Sequence, residues 1–246
     1  MKNPKLKFIA CMIASTLFGC SDDYDSADPL VSLRIVNAIQ DIGTVELRDL
    51  NGNVPVLNTT SLSYRANGRF AFTSGDPVNI MVVPESDTLN VVLNEIITFD
   101  NPGGLNTLFL YGDTLQVELF SIEQSFQNYQ DSLFGVSFVH VADDTDAVSI
   151  RAIQLDTAGV SDTTTLSQSL AFQSGTSFSQ FEATARIDSY TFQFVDADNN
   201  VLESTSIDPL RRRREKVFRN ITYLLVGRSD NGSGSSTLDM VQYDNF

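Results

Sequence analysis

Apolar and polar residues alternate along most of this chain with a period of two, the pattern of strands that bury one face. Leu33-Arg34-Ile35-Val36-Asn37-Ala38 opens one such run, passes a polar turn at Asp41, and resumes as Val45-Glu46-Leu47-Arg48. The same design returns at a constant offset of 103, with Val136-Ser137-Phe138-Val139-His140-Val141, Asp144 and Val148-Ser149-Ile150-Arg151. Leu62-Ser63-Tyr64 resembles Leu170-Ala171-Phe172, and Val78-Asn79-Ile80-Met81-Val82 resembles Tyr190-Thr191-Phe192-Gln193-Phe194. Thr107-Leu108-Phe109-Leu110-Tyr111-Gly112 recurs as Thr222-Tyr223-Leu224-Leu225-Val226-Gly227. Each of these is followed by a closing alternating strand, Leu115 to Leu119 in the first copy and Leu238 to Tyr243 in the second. The matches keep one order in both halves, which points to an internal duplication.

Each copy holds about seven short strands separated by Gly, Asn, Asp and Pro clusters, and helical periodicity is nearly absent. That spacing predicts an all-β chain of two tandem immunoglobulin-like β-sandwich domains. The expected organisation is a leader at 1–19, an acidic tether at 20–30, a first domain at 31–120, a connection at 121–134 and a second domain at 135–246. Asp49-Leu50-Asn51-Gly52-Asn53 reads as a hairpin turn. Ser229 to Ser236 reads as a flexible loop before the last strand.

The leader changes the picture from fold to compartment. Lys2, Lys5 and Lys7 precede an apolar stretch from Phe8 to Phe18, which is too short to span a bilayer and suits a signal peptide. It ends in Leu17-Phe18-Gly19-Cys20, which resembles the lipobox of bacterial lipoproteins. The resemblance implies that Cys20 is diacylglyceryl-modified and becomes the first mature residue. The plainer alternative is an ordinary secretory signal cut nearby. Acyl chains contributing about 0.8 kcal/mol per buried CH₂ would hold the protein to a membrane. The acidic stretch after it, Asp22-Asp23-Tyr24-Asp25, reads as a solvated tether and is similar to the surface-export signal of Bacteroidetes lipoproteins. These features imply an outer-membrane, lipid-anchored protein that faces either the periplasm or the cell exterior.

Charge narrows the partners. The full chain carries −15, and losing 1–19 removes three of sixteen basic residues and no acid, so the mature chain carries −18. Such a surface repels nucleic acid and anionic headgroups. Of two cysteines, Cys11 lies in the leader, so an acylated Cys20 leaves no thiol for disulfides, metal ligation or catalysis.

The openings of the two copies, Arg34-Ile35-Val36-Asn37-Ala38 through Asp41 and the run containing His140 and Asp144, resemble the bacterial domain of unknown function numbered 4397. The resemblance implies a secreted or surface sandwich without established catalysis. It supplies no site residues.

Candidate chemistry is sparse. His140, the single histidine, has serines and aspartates near it in sequence, but no G-x-S-x-G elbow accompanies them. Asn37 at the equivalent place makes a hydrogen-bonding structural role the better account. Asp143, Asp144 and Asp146, and Asp196 with Asp198, are weak candidates for Ca²⁺. The second cluster starts like an EF-hand, but Val201 stands where the bend glycine belongs and Ile207 where the bidentate Glu belongs. Asp and Asn also favour turns. Arg211, Arg212, Arg213 and Arg214 form the one basic run, either a clamp for an anionic polymer or partner or a solvated loop. Glycan binding through Tyr and Phe has to do without Trp, which the chain lacks. No cofactor motif and no catalytic signature is present. The sequence therefore predicts a non-catalytic binding or structural module on the envelope that meets a protein or polysaccharide. The alternatives are an accessory component of polysaccharide handling or envelope assembly, and a hydrolase using paired carboxylates.

Overall fold

The structure is a computed structural model that describes residues 30–73, 77–99, 105–125, 127–130, 132–209, 218–229 and 236–245. Its first half comprises β1 (Leu30–Asn37), β2 (Thr44–Asp49), a 3-10 helix (Pro55–Thr59), β3 (Thr60–Ser63), β4 (Asn67–Thr73), β5 (Val78–Pro84), β6 (Leu93–Ile97), β7 (Leu105–Gly112) and β8 (Val117–Gln124). The second comprises β9 (Leu133–His140), β10 (Val148–Asp156), β11 (Ser161–Leu170), β12 (Ser174–Gly175), β13 (Ser179–Glu182), β14 (Ile187–Val195), β15 (Val201–Ile207), β16 (Asn220–Val226) and β17 (Asp239–Asp244).

Each half is a two-sheet sandwich. The first pairs its strands β4-β1-β7-β8 and β3-β2-β5-β6. The second repeats this as β12-β9-β16-β17, with β13 also on β9, and β11-β10-β14-β15. Among the described residues no sheet mixes strands of the two halves. The register is equivalent too: Val45 faces Leu62 and Val148 faces Leu170, while Arg34 faces Thr107 and Ser137 faces Thr222. The strand order differs from the immunoglobulin one, in which A-B-E-D and C-F-G form the sheets. Here the first strand pairs with the fourth and, in parallel, with the seventh.

Two connections also differ from the expectation. β8 continues to Gln124 and β9 starts at Leu133, so the connection is shorter at both ends than the expected 121–134. Tyr129 in this connection brings the hydroxyl end of its side chain against Gly135, where a Cβ would collide with it. Asp49 to Asn53 is not a tight hairpin. The Asp49 carboxylate accepts the backbone N–H of Asn51 and Val54, and this ties down a longer connection that ends in the 3-10 helix.

Inward-facing residues give each half its own apolar core. Val31, Leu33, Ile35, Leu47, Ile80 and Leu108 belong to the first; Phe134, Val136, Phe138, Ile150, Phe192 and Tyr223 belong to the second. A third core lies between the halves. It uses equivalent positions from each: Val36 and Val139, Ala38 and Val141, Phe109 and Leu224, Tyr111 and Val226. The outer faces of β1-β7 and β9-β16 are thus buried against one another, and the two sandwiches share one interior.

Polar side chains are buried beside that third core. Ser137 and Thr222 share a 2.7 Å hydrogen bond, Gln124 donates to Ser137 at 3.0 Å, and Asn245 donates to Thr222 at 2.6 Å. Arg34, 1% exposed, donates to the Asn245 side chain and to the Asp244 carbonyl, and lies over the Tyr243 ring. Burial, with Arg69 nearby, lowers the Arg34 guanidinium to about 10.

Candidate functional site

A cleft of about 480 Å³ opens in the second half between β10 and β11 on one sheet and β13 on the other. Its origin lies in the period of β10. Val148, Ile150 and Ala152 point into the core, and the same row continues as Gln154 and Asp156. The inward face therefore turns polar before the strand ends. Across the ladder, Thr164 stands opposite Ala152 and Asp162 opposite Gln154, both facing the cleft. On the far wall β13 supplies Gln180, Phe181 and Glu182, held by pairing with Gly135, Phe134 and Leu133.

The floor is aromatic. Phe181 sits edge-on to Tyr190 at 5.2 Å and to Phe192 at 5.1 Å between ring centroids, and is only half-buried. Tyr190 is buried and donates its hydroxyl to the Glu182 carbonyl at 3.0 Å; burial pushes its pKa up to about 12. The rim is charged. Arg186 pairs with Glu182 at 3.4 Å, and the Asp156 carboxylate accepts the N–H of Ala158 and Val160 to close the β10–β11 turn. None of the three cleft carboxylates, Asp156, Asp162 and Glu182, is buried. A carboxyl tuned for acid catalysis is normally set by burial or a close like charge.

In the first half the equivalent place is filled. There Asp49 occupies the position equivalent to Ala152, and the segment after it folds back so that Val54 and Leu57 plug the end of the sandwich. The second half extends the hairpin into β11 instead, and its end stays open.

His140 is fully buried and has the role of Asn37. Its Nδ1 accepts the Ala142 N–H at 3.3 Å, and Nε2 donates to the carbonyls of Thr145 (3.3 Å) and Asp146 (3.2 Å). Asn37 accepts from Ile39 and donates to Gly43 and Leu62. The acidic candidates stand apart from the cleft, in turns at the opposite end of the strands. Asp143 and Asp113 grip Arg228 from the two halves, at 3.2 and 2.9 Å, and Asp144 accepts from Ser229. Asp196 accepts from the backbone and side chain of Asn200, and that side chain holds its carboxyl below the usual range. Asp146 and Asp198 are exposed. Among the described residues no group of three or more His, Cys, Asp or Glu side chains is placed to hold a metal ion. Cys20 and Arg211 to Arg214 lie outside the described residues.

None of the cleft residues was singled out by motif. The signal that could have found them is the growth of the repeat offset from 103 at Val148 to 108 at Leu170, an insertion filled by the Thr-rich run 161–169.

No family model matches the chain, and no curated protein matches it. Solved structures align over most of its length at low similarity. One describes α-glucan recognition by family 41 carbohydrate-binding modules from streptococcal virulence factors, at 8% identity and TM-score 0.27, covering 78% of this chain and 92% of that one. Another describes α-glucan binding by a streptococcal virulence factor, at 12% identity and TM-score 0.26, covering 83% and 95%. TM-scores this low do not establish a common fold.

Proposed function

We propose that this chain is a lipid-anchored, non-catalytic module of the bacterial envelope, two tandem β-sandwich domains in which the second holds a neutral polysaccharide in its open end. The observation that carries the reading is the unplugged cleft, where the equivalent end of the first half is closed by Val54 and Leu57. Its chemistry suits a hydroxyl-rich ligand. Gln154, Gln180 and Thr164 offer donors and acceptors, and the half-buried Phe181 ring offers an apolar face for the C–H side of a sugar ring. Asp156, Asp162 and Glu182 outnumber Arg186, so the cleft disfavours anionic polymers. An accessory role in polysaccharide handling follows. The lipobox-like Leu17 to Cys20 supports the anchor, and the strand openings resembling domain 4397 accord with a surface module.

Affinity electrophoresis of the chain from residue 21 through gels containing amylopectin, barley β-glucan, xylan, galactomannan or polygalacturonate tests this. At least one neutral polymer should retard it, polygalacturonate should not, and Gln154→Ala with Gln180→Ala should weaken binding about tenfold, the loss of one or two charge-free hydrogen bonds. Unchanged mobility in every neutral gel would overturn the proposal. Anchoring is read separately, by incorporation of labelled palmitate that Cys20→Ala abolishes.

A further inference from the structure

A second groove, about 310 Å³, runs between the two halves where the end of β8 passes the segment joining β12 to β13. Glu123, Ser125 and Gln127 line one side, and Thr176, Ser177 and Phe178 the other. At its base Gly175 approaches Ile122 so closely that a Cβ would collide with the isoleucine methyl. The halves therefore touch below the groove and part above it.

Its walls are held in place. The Phe138 N–H donates to the Thr176 side chain at 3.0 Å, and the Thr176 N–H donates to the Phe138 carbonyl at 2.9 Å. On the other wall Gln124 is fixed by Ser137, and the Gln127 carbonyl accepts from Asn220 at 2.9 Å. Between these fixed backbones Phe178 is half-buried, and among the described residues it belongs to none of the three apolar cores. Phe181 is different, since it contacts Phe134, Tyr190 and Phe192. An aromatic side chain left half-open among Ser, Thr and Gln is the same chemistry that the cleft offers around Phe181.

The two openings are neighbours. Residues 176–178 edge the groove and residues 180–182 edge the cleft, on either side of one short stretch of chain. Three residue steps of extended backbone take the chain from Phe178 to Phe181, roughly 10 Å. We infer that the groove is a second subsite for the same neutral polysaccharide, and that residues 176–182 form the wall that both subsites share. The inference rests on the cleft reading proposed above. A polymer crossing this wall engages two weak sites at once, and the linked second contact raises affinity without any new contact in the cleft. A short oligosaccharide reaches only one of them.

Isothermal titration with the neutral polymer that retards the chain most, and with a trisaccharide of the same linkage, tests the inference on the chain from residue 21. Phe178→Ala should weaken polymer binding by about 100-fold and leave trisaccharide binding within about twofold. Phe181→Ala should weaken both. Gln127→Ala, on the opposite wall, should reproduce the Phe178→Ala pattern more mildly, with the thermal unfolding midpoint unchanged. If Phe178→Ala and Gln127→Ala leave polymer affinity intact while Phe181→Ala lowers it, the second subsite is wrong and the cleft reading stands. If Phe178→Ala weakens trisaccharide as much as polymer, the two openings are one site and the inference is overturned. If the unaltered chain binds no polymer, the cleft reading itself falls, and the subsite with it.

Discussion

Asn37 and His140 show how two unlike side chains meet one geometric demand. Both sit at the end of the first strand of their half, accept the N–H two residues on, and donate to a carbonyl of the following turn. With Nδ1 accepting and Nε2 donating, His140 is the neutral imidazole. Its protonation would set an N–H against the Ala142 N–H. Burial lowers its pKa from the ordinary histidine value, the carbonyls of Asp146 and Thr145 opposing that. The unfolded chain therefore takes up the proton first, and the stability His140 contributes is lost as pH falls through about 6.5. Between pH 7.5 and 5.5 the unfolding midpoint of the native chain should drop more than that of His140→Asn. Parallel curves for the two proteins would place the titration elsewhere. At pH 7.5 His140→Ala should cost about 1–3 kcal/mol, because it strands buried backbone groups, and His140→Asn much less. The pairing of Asn37 with His140 was legible from the constant offset alone. Their partners were not, since a carbonyl's direction depends on the turn.

At the scale of elements, strands were easy to read and connections were not. Period two is a local property of an extended chain, so the landmarks Leu33 to Asn37, Val45 to Arg48 and Thr107 to Tyr111 fall on strands. Their counterparts in the second half fall on strands of equivalent register. The connection after β2 and the one after β10 start from equivalent strands yet fold differently. In the first half the buried Asp49 carboxylate gathers the N–H groups of Asn51 and Val54, and the 3-10 helix lowers Leu57 into the core. In the second, Ala152 has no carboxylate to gather a turn, and the chain continues as a long hairpin. Leu57→Ala should destabilise the protein by about 2–5 kcal/mol in urea unfolding, the range for emptying a fully buried leucine site. A cost below about 1 kcal/mol would mean that Leu57 does not plug the sandwich.

At the scale of the molecule, the third core makes one body of two sandwiches. β7 and β16 are buried on both faces for most of their length, the inner face by their own half and the outer face by the other. Gly112 and Gly227 end these two strands at positive φ, where a Cβ would collide with the carbonyl oxygens of Gln116 and Thr237. The ends at which the halves meet are thus built alike, and Arg228 there bridges Asp113 and Asp143 with partly exposed ion pairs worth about 1 kcal/mol or less each. The apolar contact dominates. The native chain should unfold in urea as one cooperative transition by circular dichroism and tyrosine fluorescence. Leu224→Asp, which places a charge at a fully buried position between the halves, should divide it into two. Two transitions in the unaltered protein would show that the halves are not coupled.

By itself the amino-acid order determined the all-β class, the duplication and the equivalence of the strands, because alternation and repeat spacing are carried by neighbouring residues. It also held a hint of the shared interior. Leu108 to Tyr111 and Tyr223 to Val226 are continuous apolar runs, as expected of strands covered on both faces. Only the tertiary structure decided which faces meet, the order of strands in each sheet, and that the second half stays open where the first is plugged. Those depend on contacts between residues far apart in the chain, and on where a connection folds back, which no local pattern encodes.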